Sequence, residues 1–191
     1  MIPRMEPKRP LTLLGCALAL LQACSDPPAS PAPGPASEPS LPADWPIYRG
    51  NQALQGVAPG SMPERPELAW TFETGGAITS SPVVADGTVY VGSDDGSVHA
   101  VWLASGKKRW SYATGDIIEA PPLVLDGRVY VGSSDFFLYA LDATTGKLAW
   151  KQETDDRILG GANWVRTPDG VTRILVGSYD NKLHCFDADS G

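Results

Sequence analysis

A period of forty residues runs through the second half of the chain, and it narrows the possible folds more than any other feature. From Trp70 onward, Thr74, Thr114 and Thr154 fall in register, as do Ile78, Ile118 and Ile158. Ser80-Ser81-Pro82 aligns with Ala120-Pro121-Pro122 and then with Gly160-Gly161-Ala162. Val89-Tyr90-Val91-Gly92-Ser93 returns as Val129-Tyr130-Val131-Gly132-Ser133. It returns again forty-five residues later as Ile174-Leu175-Val176-Gly177-Ser178, the offset absorbed around Thr167 to Arg173. Each repeat holds four short apolar segments bounded by Gly, Pro and Asp: an inner one with small residues and Pro, a central Val-Tyr-Val strand, its hairpin partner, and a strand carrying Trp. Pro is tolerated in such an inner segment only at a strand start or bulge. Four short strands in a forty-residue repeat make one blade of a β-propeller.

Within each repeat one motif is sharper than the rest. Ala140 to Trp150 reads A-L-D-A-T-T-G-K-L-A-W, Ala100 to Trp110 reads A-V-W-L-A-S-G-K-K-R-W, and Cys185 to Gly191 begins a third copy, C-F-D-A-D-S-G. In the turn Asp142 to Gly146, Gly accepts positive φ, and Asp and Thr side chains can bond turn amides. The motif Ala-x-Asp-x-x-Thr-Gly-Lys-x-x-Trp resembles the repeat signature of the quinoprotein-like (PQQ-like) β-propellers. Trp45-Pro46-Ile47-Tyr48-Arg49-Gly50-Asn51 resembles the segment that leads into their first blade.

The resemblance covers about Asp44 to Gly191 and implies an all-β fold of four-stranded blades. It also implies that Trp70, Trp110 and Trp150 dock blade to blade by stacking on Gly-containing turns, Gly106 and Gly146 among them. A Trp so placed buries roughly 150–250 Å² and has an N–H to donate. Propellers close with four to eight blades, whereas this chain holds two whole repeats and most of a third. The expectation is a propeller truncated after about three blades, with repeats at about 68–108, 109–148 and 149–191, within a longer polypeptide.

The first residues read as an export signal. Met1 to Pro10 is short and positively biased, and Leu11 to Leu21 is apolar but too short to span a bilayer. Leu21-Gln22-Ala23-Cys24 resembles a bacterial lipobox, which implies a signal over 1–23 and lipidation of Cys24. Leu13-Leu14-Gly15-Cys16 fits the pattern too, but cleavage there would leave almost no apolar run. Several acyl chains hold a protein durably, at about 0.8 kcal/mol per buried methylene. Residues 24–43 form a tether rich in Pro, Ala and Ser with no apolar periodicity. The expected location is extracytoplasmic, at the outer membrane, facing the periplasm or the cell surface. Ser25 after the lipidated Cys agrees with that sorting.

Net charge is −7, and it becomes more negative once residues 1–23 are set aside. Lys107-Lys108-Arg109 is the one basic run and falls in a turn. With no basic stripe to displace counterions, nucleic acid is not an expected partner. Of three cysteines, Cys185 alone belongs to the repeats, so no internal disulfide forms there. It stands where the sister repeats have Ala100 and Ala140, and is expected as a small buried core residue.

One propeller hosts both enzymes and scaffolds. Catalytic members of the resembling family bind PQQ through calcium, between a Trp and a vicinal disulfide. This chain has no Cys-Cys pair. Glu119, Asn163 and Trp164 could imitate part of such a site, but Ca²⁺ takes six to eight oxygens. Polar lining and a core Trp are the favoured reading of these three. His99 and His184 occupy equivalent places two blades apart, with Tyr139 between, so they do not converge on a metal. Asp94-Asp95-Gly96, Ser134-Asp135-Phe136 and Tyr179-Asp180-Asn181 are matching hairpin tips whose carboxylates read as turn-formers.

Phe136 stands where the sister tips have Gly96 and Asn181, which accept positive φ, and Phe137 follows it. Two aromatics at a solvent-facing tip suggest a protein contact; the other reading folds them over a neighbouring blade or over a segment of the longer polypeptide. The expected function is a membrane-anchored scaffold lipoprotein that binds protein partners, in outer-membrane protein assembly, with no cofactor and no catalysis. The alternative is a PQQ-dependent dehydrogenase with PQQ and calcium.

Overall fold

The computed structural model describes residues 44–58 and 64–191. The signal, Cys24 and the tether lie outside the described residues. Among those described, no helix is long and apolar enough to cross a membrane.

The regular structure is β throughout. The first sheet comprises β1 (Val83–Ala85), β2 (Thr88–Gly92), β3 (Ser97–Trp102) and β4 (Lys108–Ala113), hydrogen-bonded in chain order. The second repeats it with β5 (Leu123–Leu125), β6 (Arg128–Gly132), β7 (Phe137–Asp142) and β8 (Leu148–Glu153). The third has β9 (Asn163–Arg166), β10 (Thr172–Gly177) and β11 (Leu183–Asp187). All pairings are antiparallel. These are blades of a β-propeller. The Pro residues at 82 and 122 fall just before the inner strands, where no ladder N–H is needed.

The sheets are out of phase with the sequence repeats. The Trp strand opens each repeat as delimited from the sequence, yet it closes the sheet of the preceding blade. A period fixes the length of a unit, and only hydrogen bonding fixes where the unit starts. The extra residues of the third repeat lengthen one hairpin. Asp86-Gly87 and Asp126-Gly127 are two-residue turns with positive φ at both positions. Thr167 to Val171 replaces them with a longer loop closed by Thr167 N–H to Val171 O at 2.9 Å.

Strand alternation builds two apolar layers. One face of the first sheet (Val83, Tyr90, Val98, Ala100) packs on Val129, Val131, Tyr139 and Leu141 of the second. The opposite face of the second (Leu123, Tyr130, Leu138, Ala140) packs on Ile174 and Val176 of the third, joined by Ile47. Each layer is removed from water at about 25 cal/mol per Å² of apolar surface.

Cys185 corrects one expectation: it is exposed, although Ala100 and Ala140 in the equivalent places are buried. Those two alanines point into the layers between sheets. The corresponding face of the third sheet is covered by no described residue.

The lead-in segment crosses the inner strands of all three sheets. Trp45 exchanges backbone bonds with Val84 of β1 at 2.7 and 2.9 Å, and Val124 N–H of β5 donates to Pro46 O at 2.7 Å. The Gln52 side chain donates to Trp164 O of β9. Each inner edge is thereby met at one point, which blunts a strand's tendency to pair with other chains.

Candidate partner-binding site

Two sets of contacts hold the blades together, and they determine which residues are left for a partner. At the outer rim, the Trp110 Nε1–H donates to Ala143 O at 3.0 Å, and the Tyr90 hydroxyl donates to the same carbonyl at 3.1 Å. Trp150 and Tyr130 repeat the arrangement on Ala188 O, both at 3.1 Å. Trp70 bonds Leu103 O at 2.7 Å. Each indole lies over a turn glycine at positive φ: a Cβ on Gly106 would stand 2.8 Å from Trp70, and one on Gly146 would stand 2.6 Å from Trp110. Burial raises the Tyr90 and Tyr130 phenols above their ordinary value, which keeps them donors. The family likeness points to the Trp residues. The tyrosines converging on the same carbonyls read in the sequence only as β-formers.

At the hairpin tips, the carboxylates do more than form turns. Asp135 accepts from Gly115 N–H in the preceding interblade loop at 2.6 Å, from Phe137 N–H in its own turn at 3.1 Å, and from the Tyr139 hydroxyl at 2.6 Å. Asp95 takes Gly75 N–H, Ser97 N–H and the His99 ring, each at 2.9 Å. Asp180 takes Lys182 N–H at 2.9 Å, the His184 ring at 2.8 Å and Asp155 N–H at 3.3 Å. His99, Tyr139 and His184 are thus one position with one task, a ring donor to the tip carboxylate four residues back. The signal was present as Asp at a fixed place with a polar aromatic at +4.

These bonds shift the carboxylates. Burial alone would raise Asp180, but the His184 hydrogen bond and the Lys182 and Asp155 amides outweigh it and hold the group at about 2. Asp95 is lowered by the same balance. A carboxylate lowered in the fold adds stability above its unfolded value, about 3.9 for Asp, and that stability is lost as pH falls through the folded value. The urea midpoint of the protein should therefore decline between about pH 4 and pH 2 through these groups. Asp180→Asn should be less stable at neutral pH and show a shallower decline over that interval. Identical slopes for the two proteins would mean that Asp180 is no lock.

With the locks assigned, Phe136 stands out. Its φ is +78°, identical to that of Gly96, and Asn181 has +65°. Its carbonyl accepts from both the Thr154 N–H and the Thr154 hydroxyl at 2.8 Å, as the Gly96 carbonyl does from Thr114. The backbone is pinned in the left-handed region, which costs a side chain with a Cβ about 1 kcal/mol, while the ring remains 39% exposed. On the neighbouring tip Tyr179 is also exposed, with the Arg157 guanidinium 5.0 Å from its centroid.

Phe137 departs from the expectation of a solvent-facing pair. It opens β7, packs against the layer between the first and second sheets, and carries the Lys151 ammonium 4.0 Å from its centroid. Alternation along β7 puts Phe137 on the same face as Tyr139 and Leu141, which line that layer.

The residues considered for a cofactor lie in two blades, Asn163 and Trp164 on β9 and Glu119 ahead of β5. Asn163 donates to Gln52 O at 3.3 Å and accepts Trp164 N–H at 2.8 Å, so the lead-in segment holds it. No three His, Cys, Asp or Glu side chains gather as metal ligands among the described residues.

The sequence profile of a PQQ-repeat family described as "Outer membrane protein assembly factor BamB" matches residues 63–191. The chain belongs to the BamB family. Among solved structures, BamB from Moraxella catarrhalis superposes with a TM-score of 0.56 at 23% identity over 65% of this chain and 39% of its own. A europium-containing methanol dehydrogenase gives 0.64 at 22% identity, covering 79% and 31%. The quinohemoprotein alcohol dehydrogenase of Comamonas testosteroni gives 0.63 at 26%, covering 78% and 26%. The chain spans roughly a quarter to two fifths of the length of these structures. No curated protein matched. The BamB family and the dehydrogenases thus share the blade, and the blade by itself does not separate their roles.

Proposed function

We propose that this chain belongs to a lipoprotein, anchored at the outer membrane through Cys24, whose propeller binds other proteins during outer-membrane protein assembly. The observation that carries the reading is Phe136: an exposed aromatic pinned at φ +78° where its counterparts are Gly and Asn. Strain retained at an exposed ring has no use in packing, and aromatic rings are enriched at the centres of protein interfaces. The BamB family match supports the setting, since its description names outer-membrane assembly. The reading calls for no PQQ, calcium or catalytic residue.

Phe136→Gly separates the two aspects of the tip. Removing the Cβ relieves the backbone, so the variant should be as stable as the parent or up to about 1 kcal/mol more stable by urea unfolding. A photo-crosslinking phenylalanine analogue at position 136 should join the membrane-bound protein to a component of the β-barrel assembly machinery. Cells with only Phe136→Gly should accumulate less outer-membrane β-barrel protein, and labelled palmitate should report the anchor. No crosslink to the machinery, with normal β-barrel levels in the variant, would sink the proposal.

A further inference from the structure

We infer that the outer turn of the first blade, Trp102 to Arg109, is a second docking point and takes an acidic protein segment. This turn lacks the cap of its sisters. Asp142 Oδ1 accepts from Thr144 N–H at 3.1 Å and from the Thr145 N–H and hydroxyl at 2.7 Å. Asp187 Oδ1 accepts from Asp189 N–H, Ser190 N–H and the Ser190 hydroxyl at 3.0 Å. In the first blade Trp102 occupies that place, so the turn keeps its backbone bond, Gly106 N–H to Trp102 O at 2.9 Å, but not the side-chain cap. A local rule broken without a local gain points to a site.

In exchange for the cap, the turn presents a cationic aromatic surface. The indole of Trp102 is 44% exposed, and the Arg109 guanidinium lies 4.6 Å from its centroid. Arg109 also donates to the Thr88 hydroxyl at 2.9 Å, which fixes the plane of the fork and leaves other N–H groups for a carboxylate. Lys107 and Lys108 are exposed beside it. Relative to the second blade, Trp replaces Asp142, Lys108 replaces Leu148 and Arg109 replaces Ala149, so the turn is three formal charges more positive. It is the one basic run of a chain whose net charge is −7.

Trp and Arg are the residue types that most often dominate interface energetics. A carboxylate would meet the free edge of Arg109 and the two lysines, while an apolar neighbour lies on the indole. An anionic membrane fits less well: polybasic membrane sites carry four to eight cations, and this run has three, Lys107, Lys108 and Arg109. The inference shares with the Phe136 reading only the premise that the propeller binds proteins.

The test uses the full chain and a fluorescein-labelled peptide of alternating Glu and Leu, followed by anisotropy. The matching Lys-Leu peptide and phosphatidylglycerol vesicles serve as controls. The Glu-Leu peptide should bind in a salt-sensitive manner and the Lys-Leu peptide should not. Trp102→Asp, which restores the cap, should melt at or above the parent temperature yet bind at least about tenfold more weakly. Arg109→Ala, the residue of the sister turn, should weaken binding similarly. Phe136→Gly should bind this peptide as the parent does, so failure here leaves the tip reading standing. Equal binding by the parent and both variants, or no preference for the acidic peptide, would overturn the inference. So would vesicle binding that depends on Trp102 in the absence of peptide binding.

Discussion

Trp110→Ala is expected to destabilise the propeller by about 3–5 kcal/mol, as deletion of a buried aromatic does, and so to threaten folding outright at ordinary stabilities. The side chain is only 9% exposed. It holds the second blade through one hydrogen bond and through stacking on the Gly146 turn. Gly146→Ala attacks the same contact from the other side, because its Cβ would stand 2.6 Å from the indole and its φ is +71°. The two changes should therefore be non-additive: with Trp110 gone, Gly146→Ala should retain only its backbone strain, about 1 kcal/mol. Urea unfolding of the two singles and the double variant measures this. Full additivity would mean that the ring and the glycine act independently.

Asp135→Ala should destabilise by about 3 kcal/mol, more than any ordinary turn carboxylate. It removes one acceptor from three donors, Gly115 N–H, Phe137 N–H and the Tyr139 hydroxyl. The first two can turn to water. The Tyr139 hydroxyl cannot, because the residue is 3% exposed, and burial together with the Asp135 carboxylate holds the phenol far above its ordinary value as a committed donor. Adding Tyr139→Phe to Asp135→Ala should recover about 1 kcal/mol by removing the orphaned group. If the double variant is no more stable than Asp135→Ala, the hydroxyl is not the source of the cost.

What the sequence revealed follows from where the information sits. Repeats carry their own alignment, so the period exposed the blade and its four strands, while the docking role of Trp70, Trp110 and Trp150 was implied by the family resemblance. The strand order within a blade was legible too, but the boundaries at 108/109 and 148/149 fall before the Trp strand and not after it, because a period has no origin. The tip locks were visible as Asp95, Asp135 and Asp180 but read as turns, since their decisive donors Gly75, Gly115 and Asp155 come from a different loop. Cys185 was misplaced, and Phe137 was left between two readings, for one reason: exposure depends on what covers a face, and no local pattern states that. The exposed Trp102 was in plain view as the residue that broke the motif, but its stack with Arg109 needed coordinates.

The lead-in segment sets a timetable. Trp45, Pro46 and Gln52 emerge early in synthesis, yet their partners Val84, Val124 and Trp164 arrive in successive blades, the last separated from Gln52 by 112 residues. Closing contacts so far apart must overcome loop entropy before they stabilise anything, which slows folding. Each blade can form from neighbouring strands as soon as it is available, whereas the segment can settle only after the third. Until then its own backbone groups and three inner strand edges stay open to other chains. In transit, the lead-in segment is thus a vulnerable part of this protein, and the arrival of the third blade is what secures it.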